Sequence, residues 1–99
     1  MTNYHDHMVA DARLVILKAL SKQVDGRLNE VLITAELDSF GHKKSREWVR
    51  TQLNKLEELG AVVNVTQGSV VVAGITRLGI AHVERREVID GVGRPSPEF

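Results

Sequence analysis

Apolar side chains recur along this chain first at helical and then at strand spacing, and the changes of period divide it into elements. Residues 9–24 hold the first strong helical pattern: Ala10, Leu14, Leu17 and Val24 line one side, while Ile16 and Leu20 widen the stripe. Neither Gly nor Pro interrupts it, and Asp11 near its start and Lys18 and Lys22 near its end suit the helix dipole. So broad an apolar surface predicts burial on two sides, against the core and against a second subunit. Asp25-Gly26 is a turn signal, Arg27-Leu28 a short extended connection, and Asn29 the N-cap of a second helix over 30–40. Val31, Leu32, Ala35 and Leu37 give that helix a partial apolar face, and Gly41 closes it.

The third helix, 45–59, separates its two faces most clearly. At about 100° per residue, Trp48, Val49, Leu53, Leu56 and Leu59 fall on one arc, and Glu47, Arg50, Thr51, Asn54, Glu57 and Glu58 on the other. Ser45 is its N-cap and Gly60 the residue just beyond its end. Residues 61–66 and 69–73 are rich in valine and flank Gln67-Gly68, which predicts a β-hairpin. Thr76 caps a last helix over 76–90, with Leu78, Ala81 and Ile89 on one side and Ile80 and Val83 on another. Gly79 weakens that helix by about 1 kcal/mol relative to Ala, and it permits close approach to the hairpin or to the first helix. Gly91, Gly93, Pro95 and Pro97 prevent the helix from continuing. The chain therefore reads as one domain, 1–90, followed by an extended tail, 91–99, that only a protein partner would hold in order.

Composition narrows the class. The 99 residues are 42 % hydrophobic and 26 % charged, which is the balance of a soluble globular domain. Cysteine is absent, so disulfides and thiolate chemistry are excluded, in keeping with a reducing cytoplasm. No apolar run approaches a membrane span, and the first residues lack the basic and apolar regions of a signal peptide.

Charge matters through its placement. The formal net charge is zero, which argues against non-specific binding of nucleic acid. Between residues 42 and 55, however, Lys43, Lys44, Arg46, Arg50 and Lys55 stand against Glu47 alone, a local excess of four positive charges. A cationic patch on a mildly acidic body can hold a polyanion in one orientation.

The order of these elements, together with three phrases, resembles the winged helix-turn-helix superfamily of MarR/PadR/ArsR-like regulators. Residues 13–20, RLVILKAL, are similar to the opening helix of such proteins. Leu53, Leu56, Glu57, Gly60 and Val62 stand in the spacing of their Leu-x-x-Leu-Glu-x-x-Gly-x-Val phrase, and residues 74–79, GITRLG, resemble the step from wing to final helix. Small proteins of this kind also occur in Mu-like prophages, and the ending of this chain is similar to theirs. The resemblance implies an α+β winged helix that binds double-stranded DNA and regulates transcription, with the third helix in the major groove. Carried over, Arg46, Glu47, Arg50, Thr51 and Asn54 would face the groove, and Arg50 would bridge guanine O6 and N7. Lys43, Lys44 and Ser45 would hold phosphate at the helix N-terminus. The surplus apolar surface of the first and fourth helices predicts a homodimer through them, and a two-fold would imply a palindromic site. Two departures stand out: the hairpin tip, Gln67-Gly68-Ser69, carries no base, and Glu47 would repel phosphate unless it meets cytosine N4 or pairs with Arg50.

Other chemistries have thinner support. No nucleophile elbow, phosphate-binding glycine loop, zinc-protease motif or paired carboxylates occur, so no enzyme, cofactor or metal is expected. His5 and His7 could share a metal on an extended backbone, but a stable site needs three or four ligands; a frayed terminus and two surface histidines, His42 and His82, are the simpler reading. Trp48 could stack on a base, yet its place on the apolar arc fits a core anchor. The rival to DNA binding is a winged helix used for protein–protein contact within a phage or other assembly, favoured by zero net charge, the bare hairpin tip and the proline-containing tail.

Overall fold

The computed structural model describes residues 3–97. Among them the order is α1 (Tyr4–Ser21), β1 (Arg27–Asn29), α2 (Glu30–Ser39), α3 (Arg46–Glu58), β2 (Val62–Gln67), β3 (Val70–Ile75) and α4 (Arg77–Val83). It is an α+β domain of four helices and one three-stranded antiparallel sheet, in the order β1-β3-β2.

Side-chain caps start the helices. Asn29 Oδ1 accepts from Leu32 N at 2.9 Å, Ser45 Oγ from Trp48 N at 3.1 Å and Thr76 Oγ1 from Gly79 N at 3.1 Å, at the three expected positions. A fourth cap extends α1 well before residue 9: Asn3 Oδ1 accepts from Asp6 N at 2.8 Å. At its other end α1 stops at Ser21, not at 24, and Val24 lies fully exposed outside the core. α3 ends as expected at Gly60, whose positive φ lets Ala61 N reach Leu56 O at 2.9 Å.

Register places the sheet's two faces. Val62 pairs with Ile75, Asn64 with Ala73 and Thr66 with Val71, and this face turns toward the helices. Val63, Val65, Val70 and Val72 occupy the other face; Val63 and Val65 are exposed and the other two half-buried. β2 is an edge strand, and its Asn64 N–H is already occupied by Glu57 Oε2 at 2.9 Å. The core runs from Leu14, Ile16, Leu17 and Leu20 of α1, through Ile33 and Leu37 of α2, to Val49, Leu53 and Leu56 of α3.

The C-terminal part departs most from expectation. α4 ends at Val83 rather than near residue 90. Arg85 takes a left-handed conformation, φ 64°, so that Arg86 N bonds Ala81 O at 2.8 Å and Arg85 N bonds His82 O at 3.1 Å. The chain then folds back. Ile89 and Val92 enter the core, Gly93 N donates to Ala10 O at 2.9 Å, and Arg13 Nη1 donates to Gly91 O at 3.0 Å. The boundary drawn at 90 is thereby corrected: residues 91–93 are held by the chain itself, because their apolar and polar groups complete α1. Positions 98 and 99 of the expected tail, like 1 and 2, lie outside the described residues. The same segment covers apolar surface on α1 that had pointed to a dimer through α1 and α4. Tyr4 and Leu78 are the large apolar side chains those two helices still expose.

Candidate nucleic-acid interface

The face of α3 predicted to be polar is the face left in solvent. Arg46, Glu47, Arg50, Thr51 and Asn54 are exposed, as are Lys43, Lys44 and Ser45 ahead of the helix. Val49, Leu53 and Leu56 are fully buried, and Trp48 and Leu59 pack half-buried against the core. Trp48 is thus a core anchor at its inner edge, with Lys44 Nζ 5.1 Å from its ring centroid.

Two of the predicted residues are not free. Glu30, the first residue of α2, is wholly buried and draws three donors to one carboxylate. Arg50 Nε donates to its Oε1 at 2.6 Å, Arg46 Nε to the same oxygen at 3.2 Å, and Val71 N to Oε2 at 2.6 Å. These bonds, Arg50's foremost, hold the Glu30 carboxyl at a pKa of about 2, against the desolvation that alone would raise it. The same pairing raises the pKa of Arg50. Arg50 also donates from Nη2 to Ser69 O at the hairpin tip, 2.8 Å. The guanidinium expected to bridge guanine O6 and N7 therefore already serves Glu30 and the hairpin. Arg46 is tied only through Nε; among the described residues neither of its Nη atoms has a partner.

The remaining candidates divide. Ser45 spends its oxygen on capping Trp48 N, and Thr51 Oγ1 donates to Glu47 O at 3.1 Å within its own helix. Asn54 and Glu47 are exposed and make no side-chain hydrogen bond among the described residues. Glu47 lines a shallow groove with Glu30, Arg46, Arg50 and Ser69, about 420 Å³ between α3 and the hairpin tip. Glu30 was missed by sequence reading. A glutamate after an N-cap is ordinarily an exposed residue suited to the dipole, and its partners lie 16, 20 and 41 positions away.

The histidines also differ from expectation. His5 and His7 sit within α1, where positions two apart point to different sides of the helix. His42 and His82 are buried rather than on the surface. His42 Nε2 lies 2.7 Å from Asp11 Oδ2, joining the turn before α3 to α1. His82 Nδ1 accepts from Ile89 N at 3.0 Å, so its Nε2–H donates to Gly93 O at 2.7 Å. Among the described residues no three His, Asp or Glu gather as a metal site, and no helix is long and apolar enough to cross a membrane.

Comparison with known proteins adds kinship. Over 93 residues the chain is 34 % identical to "Uncharacterized protein gp26" of Escherichia phage Mu, covering 94 % of this chain and 96 % of that one. It belongs to the family of phage Mu gp26. A Haemophilus influenzae protein, "Uncharacterized protein", is 37 % identical over 76 residues, 76 % of this chain and 74 % of its own. No family model matches the chain, and no solved structure matches it. Neither relative's name carries an activity, so the chemistry of this gp26-family member has to be argued from its surface.

Proposed function

We propose that the protein is a winged-helix domain that binds duplex DNA with α3 in the major groove and β2–β3 as the wing, and that it regulates transcription by doing so. One observation carries the reading. α3 buries Val49, Leu53 and Leu56 while turning Arg46, Glu47 and Asn54 outward, with Lys43 and Lys44 exposed at its start. This rod has one face locked to the core and one face of groove-reading side chains. The element order, and the resemblance of three phrases to winged-helix regulators, support it; the phage Mu relative supports a phage setting. Zero net charge implies weak non-specific affinity, so binding should depend strongly on sequence.

Retardation of randomised duplexes in a gel at roughly 50 and 200 mM salt tests the proposal. Binding at the lower salt, with enrichment of a defined sequence on repeated selection, is the expected outcome. Absence of any retarded species at the lower salt would overturn it. The valine face of the sheet favours a second reading, docking on another protein of an assembly. On that reading Val65→Asp abolishes assembly and no duplex is retarded at either salt; on the DNA reading Val65→Asp leaves retardation intact.

A further inference from the structure

We infer that Arg46, rather than Arg50, reads guanine on this face, and that Glu30 is the positioning residue that presents it. The inference rests on the DNA-binding reading and specifies which groups would carry its sequence dependence.

Charge comes first. Around the groove between α3 and the hairpin tip stand Arg46 and Arg50 with Glu30 and Glu47, two cations against two carboxylates. A cluster without net charge releases few counterions and grips phosphate weakly. It does offer donors and an acceptor side by side, which is what a base-pair edge distinguishes. Guanine presents O6 and N7 as acceptors, and cytosine presents N4–H as a donor. The phosphate contacts then fall to Lys43 and Lys44, outside the cluster.

Geometry separates the two arginines. A bidentate contact to guanine needs two adjacent N–H groups of one guanidinium. Arg50 has Nη2 on Ser69 O as well as Nε on Glu30, so a fork built from its two Nη atoms competes with the hairpin bond. Arg46 gives Glu30 only its Nε, and both its Nη atoms are left for a ligand. Its side chain is 49 % exposed. Glu47, next in sequence, makes no ion pair among the described residues and is placed to accept from cytosine N4.

Glu30 supplies order to this arrangement. It sits at the start of α2, takes both Nε atoms on one oxygen and takes Val71 N of β3 on the other. One buried carboxylate thus fixes helix, hairpin and the reading side chain together. A long side chain held in its binding conformation before the ligand arrives loses less freedom on binding.

The test begins with a duplex selected by the wild-type full chain, which is then titrated with its single-base-pair variants. Arg46→Lys keeps the charge and removes the fork; it should lower discrimination at one G·C pair on the order of 10- to 100-fold. Arg50→Lys should weaken all duplexes alike and leave the preferred sequence unchanged. Glu30→Gln gives opposite signs for two explanations. Removing a negative charge tightens DNA binding if the residue matters only electrostatically, whereas a positioning residue loses both affinity and preference. Circular dichroism melts of each variant establish that it is folded, and Arg46→Lys, on an exposed side chain, decides the matter if Glu30→Gln is not. If the wild type selects no sequence, the DNA reading fails and this inference with it. If it selects one, and Arg46→Lys keeps the preference while Arg50→Lys relaxes it, the DNA reading stands and the assignment to Arg46 is overturned.

Discussion

Glu30 shows how much one side chain can organise. Transfer of a carboxylate out of water is expensive unless every lone pair finds a donor, and here two guanidinium groups and a strand amide provide them. Glu30→Ala should therefore destabilise the fold by roughly 3–5 kcal/mol, since it leaves a buried amide and two arginines without their acceptor. The pH dependence has a definite sign. In the unfolded chain the carboxyl titrates near its ordinary value of 4.5, and in the fold at about 2. Between these values the group binds fewer protons in the folded chain than in the unfolded one, so its stabilisation is complete above the first value and is lost as the pH falls toward the second. Chemical denaturation of the wild type between those limits should show this loss, and Glu30→Gln should flatten it; parallel acid limbs would mean that other carboxylates dominate. None of this was legible locally, because a glutamate following an N-cap gives no sign of partners in α3 and β3.

At the level of elements, the sequence was readable wherever a single residue type settles the backbone. Asn29, Ser45 and Thr76 cap three helices because a short oxygen-bearing side chain reaches a free amide one turn on. Gly60 ends α3 because glycine accepts positive φ without strain. The end of α4 was not readable for the complementary reason: Arg85 takes the position where glycine is expected, and the apolar spacing of Ile89 mimicked a continuing helix. Gly79 offers a sharp prediction. Helix propensity alone would make Gly79→Ala stabilising by about 1 kcal/mol. In the fold, an added Cβ meets the Ala61 carbonyl oxygen and lies 2.7 Å from Ile75 Cγ1. The exchange should instead destabilise by about 2–3 kcal/mol. Thermal melts decide between the two signs, and a raised midpoint would mean that α4 does not pack on the hairpin this closely.

For the molecule as a whole, the return of the chain after α4 completes the core. The pattern of hydrophobic residues had suggested that α1 was greasy enough to need a second subunit. Ile89 and Val92 answer much of that need from within, and Arg13, Gly91 and Gly93 fasten them by hydrogen bonds. A glycine- and proline-rich composition had marked this stretch as a tail; it gives the chain freedom to turn but says nothing of where one buried valine lands. Val92→Ala should cost about 2 kcal/mol, lowering the melting midpoint by roughly 10 °C for a domain of this size. An unchanged midpoint would show that the segment is undocked in solution. Of the candidate interface, the exposed and buried faces of α3 were legible, since they follow from helical period alone. The pairing of its arginines was not, since it depends on tertiary contact.

The bond from Asn64 N–H to Glu57 has a consequence for how the molecule keeps to itself. A six-residue, uncharged strand with valines along one side is a ready template for growth of ordered fibrils, one backbone rung at a time. By placing a carboxylate from a neighbouring helix over one of those rungs, the chain denies an incoming strand a pairing site and presents it with a charge. Polymerisation of crowded copies through this edge should be disfavoured, although Val63 and Val65 stay open to the solvent.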